Sequence, residues 1–206
     1  MLIRNLKING IIIVEDFAII PIIQVDIIER SNSKIIEYLS DSIVNLGFIN
    51  SHYEHKSMLI LQKIIDDDLV LVTSGNHIFS SKTTVDIFDT AKEKYICVNG
   101  DYYLHNVFLN TWGNLNYFPN TLYIDSQTKT LLALVSENIG ITLLPHNVAS
   151  SYQKNIDNSI HISSLKNPFS ANIFLAQLKN KKLSKNETLF KNFAINWFQK
   201  NSVKNV

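Results

Sequence analysis

Short apolar runs with strand-like spacing alternate along this chain with segments whose apolar residues recur every three or four positions, and that alternation limits the possible folds most. The order is clearest in the second half. Tyr95 to Val98 reads as a strand, Tyr102 to Trp112 as a helix and Thr121 to Ile124 as a strand. Ser126 to Asn138 follows as a helix packing Leu131, Leu132, Leu134 and Val135, and Ile141 to Leu144 as a strand. Asp125 or Ser126 is placed to cap that helix. Gly140 stands where a left-handed residue would end it, and Pro145 opens a short helix or turn. Strand–helix alternation of this kind predicts mostly parallel sheet with helices on its faces.

The first half follows the same rule less cleanly. Leu6 to Ile13 reads as a strand, Glu15 to Ile23 takes no assignment, and Val25 to Glu29 reads as a second strand. Ser31 or Asn32 caps a helix whose inner face carries Ile35, Ile36, Leu39 and Ile43. Val44 to Ile49, Met58 to Ile65 and Leu69 to Thr73 are further strands. After a return strand at Asn172 to Leu178, Ser184 and Glu187 form a capping box. Behind it Leu189, Phe190, Phe193, Ala194, Trp197 and Phe198 make a broad apolar stripe for docking on a core.

Composition narrows the function. The chain has 206 residues, 46% of them hydrophobic, enough for one sizeable core or two small lobes. Its net charge of +1 lacks the basic footprint of a nucleic-acid-binding surface, so DNA contact is expected only from outside this chain. Cys97, the one cysteine, lies in the apolar run Tyr95 to Val98 and reads as a buried thiol in a reducing compartment. Met1 to Val14 has the charge-then-apolar order of a signal peptide, but Glu15 and Asp16 follow at once with no small-residue cleavage site. With Asp26, those acids also break the apolar stretch needed for a membrane span. A cytoplasmic protein without membrane contact is therefore expected. Asp66 to Asp68 reads as a solvated turn rather than a metal cage. His52 and His55 flank Glu54, but no second ligand pair accompanies them. Neither a catalytic motif nor a cofactor or metal site is expected.

Three segments resemble the effector-binding domain of LysR-type transcriptional regulators. One runs from Val25-Asp26-Ile27-Ile28-Glu29-Arg30-Ser31 through the helix into Val44-Asn45-Leu46-Gly47-Phe48-Ile49, similar to the family's "D-L-G-F" strand with Asn45 for the usual Asp. Another, Asp68 to His77, resembles the family's crossover into a second lobe. The third joins Ile124-Asp125-Ser126 to Leu131 through Pro145, where the family has a helix ending in Gly-x-Gly before an apolar strand and a Pro. Asn138 replaces the first of those glycines, and Asn tolerates positive φ. The resemblance covers about residues 20 to 200.

The fold it implies is α/β, two Rossmann-like lobes joined by two crossover segments, as in type 2 periplasmic binding proteins. Residues 1–73 plus 169–206 would form the first lobe and 74–168 the second, with hinges near Thr73 to Ser81 and Ser163 to Ser170. The family's winged helix-turn-helix has no counterpart here, so the resemblance implies DNA contact only through such a head. The stretch from Leu6 to Val25 is also shorter than the family's first strand and helix, with Asn9-Gly10-Ile11 near the place of its hydroxyl-bearing ligand loop.

Ligands of open α/β sheets sit beyond the carboxyl ends of strands, where helix N-termini converge. The expected contacts are Asn50 and Ser51 after one strand, and Asn99, Gly100, Asp101, Tyr102 and Tyr103 after another. Asp125 and Ser126 open the next helix, and Thr73 and Ser74 lie at the hinge. The resemblance implies a small-molecule effector held in the inter-lobe crevice of a homodimer or tetramer. Two rivals stand beside this reading. One is a cytoplasmic enzyme on the same fold, for which Asp101 and His52 are the available acid–base candidates. The other is a headless partner acting by mixed dimerisation.

Overall fold

A computed structural model describes residues 6–8, 11–13, 26, 28, 30–50, 57–99, 103–124, 127–153 and 159–202. In chain order the elements are β1 (Leu6–Ile8), β2 (Ile11–Ile13), α1 (Asn32–Ser40), β3 (Gly47–Asn50), β4 (Leu59–Ile65) and β5 (Leu69–Ser74). Then come β6 (Thr84–Val85), a 3-10 turn (Ile87–Thr90), β7 (Tyr95–Val98), α2 (Tyr103–Asn114), β8 (Thr121–Ile124) and α3 (Thr128–Ser136). The series closes with β9 (Thr142–Pro145), α4 (His146–Gln153), β10 (Ile160–Leu165), β11 (Ile173–Leu178) and α5 (Lys185–Ser202). Strand–helix alternation is therefore real, and the class is α/β.

The chain divides into two compact units, Met1–Asp66 with Asn172–Val206, and Asp67–Ala171. The sequence had put the division at 73/74 and 168/169. β5 draws it earlier, because that strand pairs with β9 and β10 inside the second unit.

In the first unit β11 lies between β3 and β4, antiparallel to both. Ile36, Leu39, Ile49, Leu59 and Ala176 pack on the α1 side, and Ile64, Ile173, Leu175 and Phe198 on the α5 side. Alternating side chains of the strands thus fill two helix-covered faces. Gly47 is needed for close approach of α1: a Cβ there would meet Ile35 Cγ2 at 2.6 Å. The stripe on α5 is borne out at Ala194 and Phe198, which are buried, but Leu189 is 46% exposed. Ile43, expected on the helix's inner face, is 58% exposed because α1 stops at Ser40 and Ser42 turns to φ 58°.

The second unit holds a four-stranded sheet, β6-β10-β5-β9, and the parallel pair β7-β8. A parallel bridge from Tyr95 to Ile141 ties the two together. β5 is buried throughout, as its unbroken apolar run requires. Leu69, Leu71, Tyr95, Cys97 and Leu143 pack with Phe108 and Trp112 of α2. Their alternates Val70, Val72, Ile96, Val98 and Leu144 pack with α3 and α4.

Several expectations need correction. The sheets are not mostly parallel: β5 runs antiparallel to both neighbours, as does β11. Leu6 to Ile13 is not one strand but an antiparallel pair in which Ile8 faces Ile11. The two residues between them, Asn9-Gly10, are the strongest short hairpin signal known. Of Val25 to Glu29 only Asp26 and Ile28 are described, and neither is in a strand; Glu15 to Ile23 lies outside the described residues. Gly140 is not the left-handed residue. Asn138 takes that role at φ 58°, and Gly140 is required because a Cβ would lie 2.6 Å from Lys94 O. The N-cap of α3 is Gln127, without a side-chain cap bond, rather than Asp125 or Ser126. No helix among the described residues is long and apolar enough to cross a membrane.

Candidate strand-edge site of the second unit

Strand direction builds this site. Val98 pairs with Ile124 in the parallel β7–β8 ladder, and Asn99 N–H donates to Ile124 O at 2.8 Å. The Tyr95–Ile141 bridge sets β9 in the same direction. The carboxyl ends of β7, β8 and β9 therefore share one edge, and each strand leads into a helix: α2, α3 and α4. His105, in the first turn of α2, holds its Nδ1 3.1 Å from Val98 O, which fixes that helix start at the strand end. Tyr123 of β8, 43% exposed, meets the His105 ring edge-on at 5.6 Å. Three helix N-termini point their partial positive charge along this edge.

The chain itself occupies one of them. Asp67 Oδ2 accepts from the Asn147 N–H at the start of α4 (3.1 Å), and Oδ1 accepts from Asp68 N–H (2.9 Å). Burial pushes the Asp67 carboxyl above its ordinary value, opposed by those two N–H bonds and by nearby His146. Asp67 is thus an acceptor for the start of α4 rather than only part of a solvated turn. The missed signal was that α4 begins directly after Pro145 with no Ser, Thr, Asp or Asn of its own before it. Gln127, at the N-cap of α3, makes no side-chain cap bond to that helix.

The expected ligand residues separate on this geometry. Asn99 is exposed at the edge, and Tyr103 opens α2. Ser51, Gly100, Asp101, Tyr102, Asp125 and Ser126 lie outside the described residues, as do His52, Glu54 and His55. Asn50 is buried at the end of β3 in the first unit, opposite Ile173. Thr73 and Ser74 stand elsewhere in the second unit. Val72 pairs with Thr142, so the end of β5 adjoins the start of β9, the opposite edge of the sheet. Ser74 Oγ donates to Ser136 O at 3.1 Å and so satisfies a carbonyl at the C-terminal end of α3. Nine helical residues at about 1.5 Å each separate that point from the start of α3, so one modest ligand cannot touch both. Thr73 Oγ1 and Ser159 Oγ are buried at this far edge and find no hydrogen-bond partner among the described residues.

Cys97 is buried, and burial pushes its thiol up to about 12. Among the described residues no group of three His, Cys, Asp or Glu is arranged to hold a metal.

Comparison with known proteins supplies the family. The LysR substrate binding domain matches residues 20–199. The chain is 24% identical over 132 residues to an uncharacterized HTH-type transcriptional regulator, YwbI, of Bacillus subtilis (strain 168), covering 62% of this chain. It spans only 42% of that relative's length. Among solved structures, the effector binding domain of QuiR in complex with shikimate is similar at TM-score 0.65 and 24% identity, covering 83% of this chain and 79% of that one. The Synechocystis PCC6803 CcmR regulatory domain in complex with 2-PG is similar at TM-score 0.70 and 15% identity, covering 82% and 80%. The two-lobed periplasmic-binding-protein-like fold of these neighbours matches the two α/β units seen here, and the chain belongs to the LysR substrate-binding domain family.

Proposed function

We propose that this chain is the effector-sensing part of a transcriptional regulator and binds a small anionic metabolite at the strand edge where α2 and α3 begin. The observation that carries the reading is the convergence of β7, β8 and β9 on one edge, with Asn99 exposed there and α3 uncapped by a side chain. Relatives of the same fold hold shikimate and 2-PG, both small polar molecules, and this favours an anionic effector. The proposed contacts are Asn99, Gly100, Tyr102, Tyr103, Asp125 and Ser126, all within the second unit, to which Asn50 and Ser51 do not belong. Thr73 and Ser74 are left out because they stand at the far edge. Asp101 would oppose an anion and so serves better as a cap for α2. Oligomerisation as a homodimer or tetramer, and DNA binding through a winged helix-turn-helix, belong to the same proposal.

Catalysis is the weaker reading. Ser150 Oγ lies 3.1 Å from His146 Nε2, but the pair is an exposed i, i+4 contact on one helix and encloses no reacting centre. The high thiol pKa of Cys97 equally disfavours thiol-based sensing. The test is a thermal-shift screen starting from shikimate and 2-PG. A stabilising compound whose effect is lost in Gly100→Trp supports the site, and full retention in that variant overturns it.

A further inference from the structure

The net charge of +1 hides a strong asymmetry. Residues 172–206 carry seven lysines and a single acid, a net +6, whereas residues 1–171 carry 12 basic and 17 acidic residues, a net −5. Three of those lysines, Lys179, Lys181 and Lys182, fall within the turn between β11 and α5, and a fourth, Lys185, opens α5. Lys179, Lys182 and Lys185 are exposed. The turn is held firmly. Lys179 N–H donates to Met58 O at 2.9 Å, Lys181 N–H to Leu178 O at 3.3 Å, and Ser184 and Glu187 close the capping box. Glu187, the only acid of the segment, lies near Lys181 and offsets one of these charges, so the lysines remain in excess.

We infer that this turn is a phosphate-contacting surface that engages the backbone of duplex DNA without reading its sequence. Charge asymmetry of this size within one chain marks a polyanion-facing surface. A membrane surface fits less well, because interfacial binding needs an apolar face beside the charges, and the turn offers only half-buried Leu183. The inference does not depend on the effector site, which lies in the other unit. It adds a contact to the expectation that DNA is held from outside this chain, which rests on whole-chain charge.

The experiment is fluorescence anisotropy of a labelled random-sequence DNA duplex with the 206-residue chain, titrated across salt concentrations. Binding at low salt should weaken with a log–log slope of about −3 to −4, the value for roughly four neutralised phosphates. The triple change Lys179→Glu, Lys181→Glu, Lys182→Glu should lower affinity by about tenfold or more, while Lys92→Glu in the other unit leaves it unchanged. The corresponding Lys→Gln set repeats the test with less perturbation and should flatten the salt slope. No binding at low salt, undiminished binding in both lysine sets, or preference for phosphatidylserine vesicles over the duplex would each overturn the inference.

Discussion

Asn45 donates its side-chain amide to the carboxylate of Glu187, joining the loop before β3 to the first turn of α5 across 142 positions of sequence. The same carboxylate accepts the Ser184 N–H at 2.6 Å, and its own N–H reaches Ser184 Oγ at 3.3 Å. The Ser184 backbone bond, with help from the Ser184 and Asn45 side chains and Lys181, holds the Glu187 carboxyl below its ordinary value. The residue where the family usually has Asp thus serves here as a donor to an acid.

Asn45→Asp should therefore destabilise the fold by about 1–2 kcal/mol near neutral pH, by removing a donor and setting two carboxylates together. A lowered folded-state pKa gives stability that is present above the unfolded carboxylate pKa and lost as pH falls through the folded one. In the variant, protonating one carboxyl relieves the repulsion. Its deficit against the wild type should shrink below about pH 5, read by urea unfolding at both pH values. An equal deficit at both would contradict the contact.

Asp67 should behave with the opposite sign. Asp67→Ala removes the acceptor for the Asn147 N–H and should cost about 1 kcal/mol. Burial raises the Asp67 pKa, so its contribution is fully present below the unfolded value and is lost as pH rises through the folded one. The penalty of Asp67→Ala should accordingly grow on acidification toward about pH 4, where that of Asn45→Asp shrinks. Parallel urea titrations of the two variants check the contrast.

Gly140→Ala should cost about 2–3 kcal/mol, because a Cβ 2.6 Å from the Lys94 carbonyl meets backbone that cannot swing aside. Gly47→Ala meets a side-chain methyl, Ile35 Cγ2, at the same distance, which repacks more readily, so its cost should be smaller. Asn138→Gly should be close to neutral, since Asn138 already occupies the left-handed region. Thermal unfolding of the three variants ranks them.

Cys97 should resist thiol reagents in the native protein and react at once on unfolding, given its burial and a thiol pushed up to about 12. Rapid native-state labelling at pH 8, as timed by a chromogenic disulfide reagent, would show the β7 core to be open.

Periodicity and punctuation made much of this architecture legible. The strands at Tyr95 and Thr121, the Ser184–Glu187 box and the left-handed tolerance of Asn138 all followed from local chemistry that the folded chain retains. Strand direction did not. Nothing in the run Leu69 to Ser74 tells whether β9 lies beside it parallel or antiparallel, and that choice puts Ser74 at the opposite edge from Asn99. Gly140 misled for a related reason: a glycine demanded by a distant carbonyl looks the same in sequence as one demanded by its own φ. Asn9-Gly10, between the antiparallel β1 and β2, is a turn signal that the isoleucines on either side hide within one apolar run.

The most direct test of effector binding at the α2–α3 edge is calorimetric titration of the best thermal-shift compound into wild type and Gly100→Trp. Saturating wild type at about a hundredfold its Kd should add about 2.7 kcal/mol of stability, and the variant should show neither heat nor stabilisation. Wild-type affinity in Gly100→Trp would contradict the placement of the effector at the mouth of β7.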